Sequence, residues 1–91
     1  MADCARRVRI TGRVQGVFFR AWTADEARAL SVAGWIRNRS DGSVEAHLEG
    51  EEEAVDELIQ LIREGPPDAE VEGVAITESD PEGLNGFEVL H

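Results

Sequence analysis

Apolar and polar positions change rhythm along this chain, and each change marks an element. Val8 and Ile10 alternate with Arg7, Arg9 and Thr11, the period of two that predicts a half-buried strand over 7–11. Gly12 and Gly16 then punctuate a loop. From about Arg20 the rhythm lengthens. Phe19, Thr23, Ala27 and Leu30 fall near one face while Asp25, Glu26 and Arg28 face away, which predicts a helix that Gly34 ends. A second strand is expected over 35–39. Asp41-Gly42 is a hairpin turn. A third strand runs over 43–49, with Val44, Ala46 and Leu48 inward and Glu45, His47 and Glu49 outward. Gly50 breaks it. Glu51, Glu52 and Glu53 then sit where a helix N-terminus favours negative charge. Val55, Leu58, Ile59 and Ile62 follow the i, i+3, i+4, i+7 spacing of an amphipathic helix. Gly65-Pro66-Pro67 stops it. A fourth strand is predicted over 71–78, weakened by Gly73. A polar loop over 79–86 and a short closing strand over 87–90 complete the chain.

The order strand, helix, strand, strand, helix, strand predicts an α+β fold. It is the ferredoxin-like α/β sandwich, βαββαβ, with two helices on one face of an antiparallel sheet and a short C-terminal strand. The length predicts one domain over 1–91. In this topology the first two strands run parallel with the third between them, so their C-terminal ends share one edge of the sheet. The 12–20 loop leaves the first, and Asn38 ends the second. Asn38 shares parity with Ile36, on the apolar side from which the first helix starts. Arg20 and Asn38 are therefore expected to meet beside one loop.

Charge sharpens that expectation. The net charge is −10, but residues 1–40 carry +5 and residues 41–91 carry −15. So acidic a chain lacks the broad basic field that nucleic acid requires. Yet the segment from Cys4 to Ala24 holds no Asp or Glu, although the chain has nineteen. A stretch free of carboxylates suits an anion site. All nine basic residues are Arg. An acidic excess also keeps a protein soluble in concentrated salt. No apolar run approaches the ~18 residues of a membrane span, and the first ten residues contain no apolar core of a secretory leader. Cys4 is alone, so no internal disulfide and no cysteine metal cage is expected. It is read as a bystander near a frayed terminus. A reducing cytoplasm is the simplest home, and nothing in the sequence requires more than a monomer.

The candidate chemistry lies in GRVQGVFFR, Gly12 to Arg20. Successive N–H groups in a tight glycine-containing turn converge on an anion, and a helix N-terminus adds partial positive charge. The loop Gln15, Gly16, Val17, Phe18, Phe19 and Arg20 is thus a candidate phosphate-binding segment. The Arg20 guanidinium forks onto phosphate oxygens as an ammonium cannot. Asn38 holds a water by its neutral amide, where a carboxylate would repel the phosphate. Each signal has a plainer reading. Arg20 alone fits a surface ion pair worth ~0–1 kcal/mol, and Asn38 alone a turn residue. Arg37 and Arg39 read as solvated, His47 as an outward sheet residue and His91 as a free terminus. Phe18, Phe19, Trp22 and Trp35 read as packing residues. It is the joint appearance of loop, Arg and Asn that favours a site.

The sequence VQGVFFR at Val14–Arg20, with GWIRN at Gly34–Asn38, DGSVE at Asp41–Glu45 and the final GFEV at Gly86–Val89, closely resembles the acylphosphatase family. The likeness runs nearly end to end, including Glu49-Gly50 and Gly65-Pro66-Pro67. It departs at Ser31-Val32, Phe18 and Arg39. The resemblance implies hydrolysis of a small-molecule acyl phosphate to a carboxylate and inorganic phosphate. Arg20 would bind the phosphoryl group and Asn38 would position the attacking water, with no cofactor and no metal. The chemistry agrees. A carboxylate leaves without a strong general acid, and the phosphate's own oxygens accept the water's proton.

Two other readings stay open on the residues alone. One is a substrate-handling module such as the acylphosphatase-like front of hydrogenase-maturation factors, against which the chain ending at His91 speaks. The other is an RNA-binding domain of the same topology, which wants aromatics on an open sheet face and a basic surface.

Overall fold

The structure is a computed structural model that describes residues 3–91; the first two positions of the stretch read above for a leader lie outside it. Its elements are β1 (Asp3–Arg13), α1 (Phe19–Ala29), β2 (Ala33–Asn38), β3 (Val44–Glu51), α2 (Glu52–Glu64), β4 (Glu70–Ser79) and β5 (Phe87–Val89). The sheet order is β4-β1-β3-β2-β5, with both helices on one face. The first four strands are antiparallel neighbours, as expected. β5 is not: it pairs with β2 in parallel, Gly34 opposite Phe87. The expected antiparallel four-stranded sheet is thus extended by the short C-terminal strand, which joins in parallel and makes the whole sheet mixed.

The core lies between the helices and the near face of the sheet. Val8, Ile10, Ile36, Val44, Ala46 and Leu48 are buried there beneath Phe19, Ala24 and Ala27 of α1 and Val55, Leu58, Ile59 and Ile62 of α2. Each large apolar side chain so buried stabilises the fold by about 1.5–3 kcal/mol relative to exposure.

Several boundaries differ from the sequence expectation, each for a physical reason. β1 runs through Gly12 to Arg13 because a register shift between Thr11 and Gly12 lets it keep pairing with β4. Cys4 is not frayed: it sits in β1 opposite Gly50, half-buried, and burial pushes its thiol up from the ordinary value. α1 stops at Ala29, where Ser31 takes a left-handed φ of 58°. Gly34 lies inside β2 rather than ending the helix. A side chain there would collide with the His47 carbonyl, so the strand crossing demands glycine. Gly50 likewise continues β3, which passes into α2 with Glu51 as the joint.

The far face of the sheet is the larger surprise. His47 points away from the helices, as its parity predicts, yet it is fully buried. Trp35 stacks on it at 6.0 Å with Arg7 over the indole. Glu49 beside it accepts a hydrogen bond at 2.8 Å if His47 Nε2 carries the proton. The same carboxylate accepts the backbone N–H groups of Glu82, Gly83 and Leu84 at 2.7, 3.0 and 3.1 Å. The 80–86 segment is therefore strapped across the sheet and delivers the chain into β5.

Candidate active site

The strand register builds the site. Ile10 and Asn38 both pair with Val44 of β3, from opposite sides. Asn38 thus stands two strand spacings, about 10 Å, from the level at which β1 leaves for α1. The connecting loop, residues 14–18, spans that gap. Gly16 has φ 76° and Phe18 φ 62°, both left-handed, and the loop curls before Phe19 starts the helix. An added Cβ at Gly16 would meet open space, so it is the backbone conformation that favours glycine there.

The curl leaves its donors free. Among the described residues no backbone carbonyl accepts from the N–H groups of Gly16 through Ala21; Trp22 is the first to bond back, to Phe18 at 3.0 Å. Among the described residues no side chain caps the helix, and no acid lies in its first turn. A bare helix N-terminus therefore opens on a cavity of about 410 Å³.

Arg20 and Asn38 both line that cavity, with Gly16, Phe18 and Phe19 of the loop. The Arg20 guanidinium is aimed from behind: Nη1 donates to the Leu90 carbonyl at 2.7 Å and lies 3.4 Å from His91 Nδ1. Its Nε and Nη2 donate to nothing else among the described residues, which leaves the two-pronged edge free. The Asn38 amide is exposed and makes no side-chain hydrogen bond there. Among the described residues no carboxylate side chain lines the cavity.

Two loop residues predicted for the site have side chains turned elsewhere. Gln15 donates its amide to the Arg39 and Ser43 carbonyls at 2.8 and 2.9 Å, pinning the loop to the β2–β3 hairpin. Val17 is buried in the core. Phe18, read as a packing residue, is instead 81% exposed at the cavity mouth. Arg39 is engaged by Glu45 at 3.0 Å, as is Arg37. Sequence reasoning missed Val14, Ala21, Val89 and His91 as cavity walls. The last two arrive through the parallel β2–β5 pairing, for which no local pattern exists.

Comparison with known proteins points the same way. The family model described as acylphosphatase matches residues 6–89. A protein of Rubrobacter xylanophilus named acylphosphatase is 56% identical over 84 residues, covering 91% of this chain and 76% of its own. One of that name from Anaeromyxobacter dehalogenans is 52% identical over 91 residues, covering 98% of both. Among solved structures, that of an acylphosphatase from Bacillus subtilis superposes with a TM-score of 0.94 at 37% identity, covering 97% of this chain and 99% of that one.

Proposed function

The chain belongs to the acylphosphatase family and hydrolyses acyl phosphates to a carboxylate and inorganic phosphate; from that premise we propose that Arg20, Asn38 and the 15–20 loop carry out the reaction. The phosphoryl oxygens dock on the free N–H groups of the loop and first helical turn. The open edge of Arg20 forks onto the same group. The Asn38 amide orients a water for attack at phosphorus, opposite the departing carboxylate. That water's proton passes to a phosphoryl oxygen, so the site needs no base of its own. Negative charge builds on oxygens already facing fixed donors, and stabilising it there lowers the barrier.

The observation that carries this reading is a helix N-terminus with neither cap nor acid, facing a cavity that has Arg20 and Asn38 in its wall. In the same proposal the protein acts as a single domain and as a cytoplasmic monomer, with Arg20, Asn38 and the loop residues Gly16, Phe18 and Phe19 of one chain around one cavity. Benzoyl phosphate turnover tests the reading. Arg20→Gln should lower kcat/KM by about 10³-fold or more, with inhibition by inorganic phosphate lost alongside. Asn38→Ala should lower kcat strongly while phosphate still inhibits. A near-normal kcat in Asn38→Ala refutes its role in holding water.

A further inference from the structure

Phe18 occupies a position that its surroundings would give to a different residue. Its backbone is left-handed, φ 62° and ψ 22°, a conformation that strains a bulky side chain and that Gly or Asn adopts readily. It is also 81% exposed, where a polar side chain forfeits nothing. Packing does not explain the ring, because its neighbours Val17 and Phe19 are the ones that turn into the core, at 7% and 1% exposure. It borders the cavity. There it stands at the mouth, with Val14, Ala21 and Val89 as uncharged walls beside it.

The chemistry of the substrate limits what can reach that ring. The acyl carbon of an acyl phosphate is only two bonds from phosphorus. With the phosphoryl end on the N–H groups that follow Phe18, the acyl group emerges at the mouth and meets the side chain standing there.

We propose that Phe18 is the specificity-determining residue of this site. Its ring receives the acyl group and favours apolar, ring-sized acyl phosphates over short or charged ones. The proposal rests on the reading of the cavity as the phosphoryl site. An aromatic ring offers a flat apolar face without a dedicated pocket, and an aromatic partner gains from such a contact beyond the area it buries. With that area included, the preference is on the order of tenfold.

The test compares kcat/KM for benzoyl phosphate and acetyl phosphate in the wild type, Phe18→Asn and Phe18→Leu. Asn tolerates the left-handed backbone, so the loop keeps its curl. The benzoyl-to-acetyl ratio should fall about tenfold in Phe18→Asn, with the loss concentrated in benzoyl phosphate, and by less in Phe18→Leu. Because each ratio is taken within one protein, a general loss of loop geometry cancels from it. A ratio that stays the same in both variants overturns the proposal, whether the two rates fall together or not at all. A wild-type protein that turns over neither substrate overturns the reading of the site itself, which is a different result.

Discussion

The fold makes the turn from strand to helix twice, and the two junctions are opposites. Where β3 passes into α2, Glu51 stands at the joint and Glu52 and Glu53 fill the first turn. The helix meets its own positive end with its own carboxylates, and nothing else is needed there. Where β1 passes into α1, a loop intervenes and the first turn has no acid. The same backbone charge is left exposed beside Arg20 and Asn38. The far face of the sheet shows the closed version again: three successive N–H groups at 82–84 converge on one anion, and the anion is the protein's own Glu49. Convergent backbone donors thus serve structure when the chain supplies the negative charge, and are free for a ligand when it withholds it.

The sharpest way to break the comparison is to close the open junction. Ala21 lies in the first turn of α1, exposed and on the cavity wall. Ala21→Glu would supply the carboxylate that α2 already has. At about 5 Å and an effective dielectric near 20, repulsion of each unit of charge on a bound phosphate is about 3 kcal/mol. The expected loss in kcat/KM is therefore on the order of 10²-fold. The same charge should raise unfolding stability by about 0.3–1 kcal/mol. Activity and stability moving in opposite directions in one variant is the expected result of kinetics and denaturant unfolding. A variant that is less stable and less active would show only a damaged helix.

The second prediction empties the filled version. Glu49→Gln removes the charge that the 82–84 segment and His47 surround. Loss of a charge-assisted network of this kind should cost about 1.5–3 kcal/mol in urea unfolding. Its pH dependence is distinctive. Burial alone would raise the Glu49 carboxyl, but the N–H groups of Glu82, Leu84 and Gly83 together with His47 outweigh it and hold the group below its usual value of 4.5. A depressed folded value means the stabilisation is fully present above about 4.5 and is lost as pH falls through the lower, folded value. Glu49→Gln should remove that acid-side fall, so the gap between wild type and variant narrows as pH drops below 4.5. A gap that stays constant with pH assigns the effect to shape rather than charge.

The closed features were the harder ones to see in the sequence. The open junction is legible because a missing residue type is a local fact: no acid from Cys4 to Ala24. α2 was legible from the spacing of Val55, Leu58, Ile59 and Ile62, all buried. The topology followed from element order, and with it the strand arrangement that sets Arg20 and Asn38 at one edge. Alternation read the direction of His47 correctly and its environment wrongly, because the Trp35 ring stacked on it and the 82–84 segment held by its neighbour Glu49 come from other parts of the chain. Gly34 was misread as a helix stop because the contact that demands glycine there is with the next strand. The parallel seat of β5, which carries Leu90 to Arg20, is set by tertiary pairing and by no local signal.

The acids of the closed junction give a smaller effect. Glu52 and Glu53 are exposed. Replacing both with Gln should cost about 0.3–1 kcal/mol each at low salt in thermal or urea unfolding, and less as salt is added. kcat/KM should not fall, since neither residue lines the cavity. A loss of activity comparable to that of Ala21→Glu would mean that the two junctions are coupled rather than independent.

The smallest effect tests the charge asymmetry that the two junctions express at the scale of the whole chain. Residues 41–91 carry −15 and residues 1–40 carry +5. A dianionic acyl phosphate approaching the protein feels the sum at long range and the local donors only at close range. The Debye length falls from about 30 Å at 0.01 M salt to about 10 Å at 0.1 M. Salt therefore screens the distant repulsion before it screens the nearby attraction. Raising sodium chloride from 0.01 to 0.1 M should increase kcat/KM for benzoyl phosphate by a few-fold, with little change in kcat, because encounter rather than turnover is affected. Arg20 is held in place by the Leu90 carbonyl and does not depend on salt for its position. If kcat/KM instead falls over that range, the field of the basic half already dominates at the cavity mouth. The global acidity would then be irrelevant to the approach of substrate.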